Sequence, residues 1–311
     1  MKAKLTEIKF RSAFGRVGQL CSRVVWLGAI ILICSGACAQ NLFVSGTDAG
    51  GGEIFKFPLA GSETIFATGL VDPWDLAVDR AGNVFVVDSQ CGEIYCGAEV
   101  SKITPQGGRS ILASGLGYPS DLAVNSTGNV FVADYDHGII YEYKPDGSRA
   151  TFAAGLYQPV GPVFDSAGNL FVADNSVGDV SQGSIYKYKP DGSRVTIAVL
   201  NPGDRPADLA LDSMGNLYMA DLGGSIYRYA LSGVLRRYSR STFGSVPNSA
   251  QSLAFDNAGN LFVVDVGDAN GKGNAIYEFT AQGARSTFAK GNTLGETFLC
   301  LAFQPMPSCC Q

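Results

Sequence analysis

The chain is short of charge. Asp, Glu, Lys and Arg make up 16% of its 311 residues, against about 25% for an ordinary soluble domain. Glycine, by contrast, reaches 39 residues. That balance argues against a helical bundle or coiled coil, which draw on Ala, Glu, Lys and Leu, and no collagen repeat is present. Long hydrophobic runs are also lacking. The longest candidate, residues 24–33, has ten apolar residues, half of the roughly 20 needed to cross a bilayer. What the chain does have is 46% hydrophobic residues, enough to bury a large core and to exclude a disordered polymer.

The first 39 residues read as an export signal. Lys2, Lys4, Lys9, Arg11, Arg16 and Arg23 face one acid, Glu7, before the apolar run, and Ala37-Cys38-Ala39 follows it. This is the small-x-small pattern of a signal-peptidase site. Cleavage after Ala39 is expected, giving a secreted or periplasmic protein. The alternative is a lipoprotein anchored at Cys38, with Ser35 where such signals prefer a larger aliphatic residue. Loss of residues 1–39 leaves 17 Lys plus Arg against 27 Asp plus Glu, a net charge of −10. Such acidity excludes nucleic acid as a partner, because the phosphate backbone is bound through positive charge. No transmembrane segment is expected in the mature chain.

Five cysteines remain after cleavage: Cys91, Cys96, Cys300, Cys309 and Cys310. In an oxidising compartment Cys91 and Cys96 are expected to close one loop by a disulfide. Their Cys-x4-Cys spacing without a second pair argues against zinc, which takes four ligands.

One pattern recurs. Asp75-Leu-Ala-Val-Asp79 runs through Gly82-Asn83 to Asp88. It returns as Asp121 to Asp134, Gly161 to Asp174, Asp208 to Asp221, and Leu253 to Asp265. Gly82, Gly128, Gly168, Gly215 and Gly259 are 46, 40, 47 and 44 residues apart. A period near 40–45 with four short strands predicts propeller blades. A sixth copy is split: Asn41-Leu42-Phe43-Val44 matches a second strand, and Leu301-Ala302-Phe303 the missing first one. The expectation is an all-β, six-bladed propeller of four antiparallel strands per blade. The N-terminal strand would pair with the C-terminal one to close the ring. The predicted layout is a signal at 1–39, the propeller at 40–304 and a tail at 305–311.

Within each blade, strand a is the Leu-Ala-Val segment, and Asp-x-x-Gly-Asn turns the chain into strand b. Strand c is of the type Ile140-Tyr-Glu-Tyr. Pro145-Asp146-Gly147 and Pro190-Asp191-Gly192 form the turn to strand d. Strand d opens with Arg109, Arg149, Arg194 and Arg285, charges that guard an outer edge against pairing with other chains.

The repeat Pro-x-Asp-Leu-Ala-Val-Asp…Gly-Asn-Val-Phe-Val-x-Asp resembles the NHL repeat and the gluconolactonase (regucalcin-like) propellers across residues 41–304. NHL propellers usually carry Gly where Asp75, Asp121 and Asp208 stand. The gluconolactonase resemblance implies divalent-metal ligands at the start of the inner strands. Those positions hold Trp74, Ser120, Val160, Ala207, Gln251 and Leu299, none of them Asp, Glu, Asn or His. Virginiamycin B lyase-like propellers use histidine there, and His137 is the single histidine of this chain. Neither enzymatic site carries over.

Two other groups of residues are candidates. Asp75, Asp121 and Asp208 lie at one level of three blades, where they would hold Ca2+ or Mg2+ or else cap amides of the loop entering strand a. The loops between strands b and c hold Glu93, Glu99, Asp134, Asp136, His137, Asp179, Asp268 and Asn270. Variable loops on a rigid scaffold are where ligands bind. The recurring Asp88, Asp134, Asp174, Asp221 and Asp265 are too regular for one site and predict turn caps. The expected protein is therefore a monomeric, exported binding propeller with no required cofactor. Its acidic loop face would take a protein, peptide or carbohydrate. The alternative is a metal-dependent hydrolase or lactonase at the channel mouth.

Overall fold

In the computed structural model, residues 40–48, 51–58, 63–89, 98–175, 182–232, 237–268, 272–291 and 297–306 are described. The predicted export signal, the Cys91–Cys96 pair, Glu93, Asp179, Asn270, Cys309 and Cys310 lie outside them. The described residues form six sheets of four antiparallel strands. The repeat therefore builds a six-bladed β-propeller, as the spacing of its glycines predicts.

Strand a is Thr297–Phe303 in blade 1, then Pro73–Val78, Pro119–Val124, Gln158–Phe164, Pro206–Leu211 and Ala250–Phe255 in blades 2 to 6. Blade 1 joins the two ends of the described chain. Asn41–Asp48 pairs antiparallel with Thr297–Phe303, with Leu42 opposite Phe303 and Val44 opposite Leu301. Side chains fasten the same seam: Asn41 Nδ2 donates to Gln304 Oε1 at 2.7 Å, and Gln40 Nε2 to the Gln304 carbonyl at 3.2 Å. Gln40 also accepts from the Asn257 amide of blade 6, at 2.9 Å.

The turn from strand a to strand b behaves as its residues dictate. The Asp79 carboxylate accepts the Asn83 amide at 2.8 Å and the Asn83 side-chain amide at 2.6 Å. Gly82 sits at φ 81°, a left-handed conformation that glycine adopts without a Cβ clash. Asp165, Asp212 and Asp256 bond the amides of Asn169, Asn216 and Asn260 in the same way.

The core is a ring of interfaces between blades. Phe43 and Ile54 of blade 1 pack with Leu76, Val78, Val84 and Val86 of blade 2, and each later pair of neighbours has a corresponding cluster. Aromatic rings stitch three of these seams in one pattern. Phe131 of strand b meets Phe152 of its own strand d at 5.0 Å and Phe164 of the next blade at 4.8 Å, both edge to face. Tyr218 does the same with Phe243 and Phe255, and Phe262 with Phe288 and Phe303. Such pairs add about 0.5–1.5 kcal/mol each beyond burial.

The strand-d arginines are tied into their blades. Arg149, Arg194 and Arg285 lie over the strand-c rings of Tyr141, Tyr186 and Tyr277 at 4.8, 4.4 and 5.0 Å. Arg109 instead bonds Asp88, Glu99 and the Gly69 carbonyl of the preceding blade. A charged group thus covers the outer edge while its planar face packs on an aromatic ring.

Candidate functional site

Two rings of carboxylates order the face on which strand a begins. The outer ring is made by the aspartates that end strand b. Asp88 accepts the amides of Val71 and Asp72 at 2.9 and 3.0 Å. Asp174 accepts those of Tyr157 and Gln158, and Asp265 those of Asn248, Ser249 and Gly267. Asp221 accepts from Arg205 and Gly223. These residues hold the connection that enters strand a, which is the turn-capping role their regularity implied.

Asp134 belongs to this ring. It is 1% exposed and bonds the amides of Gly117, Tyr118 and His137. Its carboxylate also meets His137 Nδ1 at 2.9 Å. That hydrogen bond and the charge behind it raise the His137 pKa above its ordinary value. The histidine therefore pairs with Asp134, although Asp136 is adjacent in sequence.

The inner ring lies on the axis, at the third residue of strand a counted from Pro73. Around the six blades this position holds Cys300, Asp75, Asp121, Gly161, Asp208 and Ser252. The side chains reach sideways. Asp75 Oδ2 accepts the Leu122 amide of the next blade at 2.7 Å. Asp208 Oδ2 accepts the Leu253 amide at 2.8 Å, and the Ser252 hydroxyl accepts the Leu301 amide at 3.3 Å. The Gly161 amide and the Ser120 side chain act on Asp121 by partly offsetting the burial-driven rise in its pKa, while the Ser120 hydroxyl donates to the Pro159 carbonyl at 2.9 Å. The capped amides thus belong to the neighbouring blade's strand a, where the sequence suggested the loop entering it.

Gly161 is required where it stands. Its φ is 57°, and a Cβ there would come within 2.6 Å of the Leu209 amide nitrogen. The Leu209 amide instead bonds Asp208 Oδ1, at 2.7 Å. On the far side of the ring the Cys300 thiol donates to Asp75 Oδ1 at 2.7 Å and lies 3.3 Å from Ser252 Oγ. Cys300 is a buried free thiol.

Burial and mutual repulsion set the protonation of this ring. Burial raises the Asp75 carboxyl well above the carboxylate range, with Asp121 and Asp208 adding to the effect. Burial lifts Asp121 to about 7. Burial, then the Asp121 charge, lifts Asp208 to about 8. Burial, followed by the Asp75 and Asp208 charges, pushes the Cys300 thiol up as well. Asp75, Asp121 and Asp208 thus converge on the axis. Even so, among the described residues no set of three or more His, Cys, Asp or Glu side chains is placed to hold a metal ion.

The remaining loop candidates are more open. Asp136, His137 and Asp268 are exposed, and Asp268 accepts the Lys272 amide at 3.0 Å. Glu99 is engaged by Arg109 at 3.0 Å. Sequence reasoning missed the tyrosines on this face. The rings of Tyr118 and Tyr135 meet edge to face at 5.6 Å, and Tyr157 is 55% exposed. Burial, then the charge of Asp121, pushes the Tyr118 hydroxyl up to about 12, with Tyr135, Asp72 and Asp136 contributing. Ser252 and Cys300 of the inner ring were missed too. The signal for them was their place directly before the Leu of strand a.

The architecture makes this protein a six-bladed β-propeller with an NHL repeat. Residues 116–138 match the NHL repeat model, and residues 193–229 match the strictosidine synthase-like N-terminal model. No curated protein matches the chain. Among solved structures, a chain of the nidogen–laminin complex is 20% identical at a TM-score of 0.68, covering 86% of this chain and 98% of that one. A gluconolactonase of Xanthomonas campestris is 16% identical at 0.63, covering 80% and 91%. The virginiamycin B lyase of Staphylococcus aureus is 18% identical at 0.52, covering 71% of each chain. At these identities the likeness is one of fold, which is shared by binding modules and enzymes.

Proposed function

We propose that the protein is an exported binding propeller that recognises a protein or peptide partner through the face carrying Asp72, Tyr118, Tyr135, Asp136, His137 and Tyr157. One observation carries this reading. The recurring carboxylates are committed to backbone amides within and between blades, whereas Tyr157, Asp136 and His137 stand at the surface on the same face. Aromatic rings beside acidic groups favour a partner offering basic or apolar side chains. The nidogen–laminin neighbour supports protein binding on this fold.

The test is an immobilised-protein screen against peptide and glycan arrays, with Tyr157→Ala/Asp136→Asn as the paired variant. Saturable peptide binding that this variant weakens supports the reading. Binding confined to glycans, or unchanged in the variant, overturns it.

The metal-dependent hydrolase or lactonase has support in the gluconolactonase neighbour. Calorimetric titration of Ca2+, Mg2+ and Zn2+ decides it. Stoichiometric binding lost in Asp75→Asn/Asp121→Asn/Asp208→Asn, together with lactone hydrolysis, would replace the binding assignment. Export fits the placement of Gln40, which is 6% exposed and bonded to Gln304 and Asn257, so cleavage after Ala39 leaves the ring's first fastening in place. Mass spectrometry of the protein from its native host should find Gln40 at the mature N-terminus. A chain that begins at Cys38 with a lipid attached would assign the anchored form instead.

A further inference from the structure

The turn between strands a and b departs from the repeat in blade 3. Four of these turns open with an aspartate, Asp79, Asp165, Asp212 and Asp256, and carry Ala81, Ala167, Met214 and Ala258 two residues on. Blade 3 has Asn125 and Thr127 instead. The two changes together make Asn125-Ser126-Thr127 the one Asn-x-Ser/Thr sequence of the chain, the acceptor pattern for N-linked glycans in exported proteins.

The geometry of the turn frees the side-chain nitrogen. Asn125 Oδ1 accepts the Thr127 amide at 3.0 Å, the Asn129 amide at 2.9 Å and the Thr127 hydroxyl at 2.8 Å. Two backbone donors therefore fix which side-chain atom is the oxygen. In the other blades the second carboxylate oxygen accepts the side-chain amide of Asn83, Asn169, Asn216 or Asn260 at 2.6–2.9 Å. In blade 3 the same contact would set one NH2 group against another. Asn129 turns away and donates to Glu142 Oε1 at 2.6 Å. A glutamate within the blade does not by itself cause this. Glu278 holds the same place on strand c of blade 6, opposite Phe262 as Glu142 is opposite Phe131, yet Asn260 stays on Asp256. Asn125 Nδ2 is left with no hydrogen bond among the described residues, and it is not buried. Ser126 and Thr127 beside it are exposed.

We propose that Asn125 is an N-glycosylation site that takes an oligosaccharide from a lipid-pyrophosphate carrier. In the transfer Nδ2 bonds to the anomeric carbon and gives up one proton to a base of the transferase. The bond from that carbon to the pyrophosphate oxygen breaks, and its electron pair leaves with the lipid pyrophosphate. Oδ1 keeps its bonds to the turn, so the modified chain folds as the unmodified one does. Asn125 follows the last residue of strand Pro119–Val124, and Tyr118 precedes the first; six strand residues span roughly 20 Å. The glycan thus stands at the opposite end of the blade from the proposed partner face and leaves that face clear. The assignment rests on the export reading and is independent of the partner.

The experiment secretes two forms of the chain from eukaryotic cells, whose export pathway holds the transferase: the full chain, and one in which an established secretion signal replaces residues 1–39. The expected result is folded, secreted protein with one oligosaccharide, removed by peptide N-glycosidase and placed at Asn125 by glycopeptide mass spectrometry. Asn125→Asp, the residue of the four other turns, and Thr127→Ala should each abolish the mass increment and still give folded protein. Thr127→Ser should retain it. If only the second form is secreted and glycosylated, the export reading fails and this assignment stands. Folded, secreted protein of the second form without a glycan overturns the proposal. So does a glycan that persists in Asn125→Asp, or one found only on protein that fails to fold.

Discussion

The buried aspartates of this protein act as backbone connectors, and their value depends on how many amides each one satisfies. Asp265 is fully buried and accepts three amides. Asp265→Ala leaves those donors without a partner and is expected to cost roughly 2–4 kcal/mol, because an orphaned buried donor weighs about 1–3 kcal/mol and of the three only the Gly267 amide is fully buried, while those of Asn248 and Ser249 are half-buried. Asp79 lies in a half-buried turn and serves the Asn83 amide alone among backbone donors. Asp79→Ala should cost only about 1 kcal/mol, comparable to the loss of a cap. Urea unfolding of the two variants side by side measures the difference. Equal losses would mean that the strand-b aspartates are no more than turn residues.

Strands show the same contrast between inside and outside. Phe43, in the second strand of blade 1, is 1% exposed and meets Phe66 edge to face at 5.0 Å. Phe43→Ala opens the seam between blades 1 and 2 and is expected to cost about 3–5 kcal/mol. Ile65 lies on the outer strand of the same blade at 57% exposure, and Ile65→Ala should stay within about 0.5 kcal/mol. Melting temperatures will separate the two. The strand plan was legible because its turns are local: Asp79, Gly82 and Asn83 interact within five residues, and a repeat displays that chemistry five times over. The inner ring was legible only in part. Asp75, Asp121 and Asp208 stand out by residue type, whereas Ser252 and Cys300 are recognised only once Leu253 and Leu301 are aligned with Leu76. The amides these groups serve were hidden, because Leu122 is 47 residues from Asp75 and Leu253 is 45 from Asp208. Tyr118 and Tyr157 stand at different positions of two Gly-Leu-x-x-Pro connections and Tyr135 in a loop between strands b and c, so only folding brings Tyr118 and Tyr135 together.

At the scale of the whole ring, the axial carboxyls give stability a direction with pH. A carboxyl whose folded pKa exceeds its unfolded one keeps its proton in the native state after the unfolded chain has lost it. Stability then falls as pH rises from the unfolded value, about 3.9 for Asp, through the folded one. For Asp121 the fall continues to about 7 and for Asp208 to about 8. Each group contributes a slope of about 1.4 kcal/mol per pH unit within its window. His137, also raised, acts in the same sense above the ordinary histidine value. Asp165, lowered chiefly by its bonds to Asn169 and Lys187, acts oppositely and loses its contribution as pH falls. The urea midpoint should therefore be higher near pH 5.5 than near pH 8.5. Asp121→Asn/Asp208→Asn should flatten the slope. A wild-type midpoint that rises over this interval would show the axial carboxyls to be ionised throughout.

The seam of blade 1 joins strands that are distant in synthesis. Asn41–Asp48 emerges early from the ribosome, and its inner neighbour, Thr297–Phe303, comes some 250 residues later. Until then the early strand has an unsatisfied edge, and the first and last interblade interfaces lack a wall. Contacts of such sequence separation form slowly, so the last step of folding is the closing of a clasp. Two chains waiting at that step can exchange first strands and close each other's rings, giving an interlocked dimer with native blades throughout.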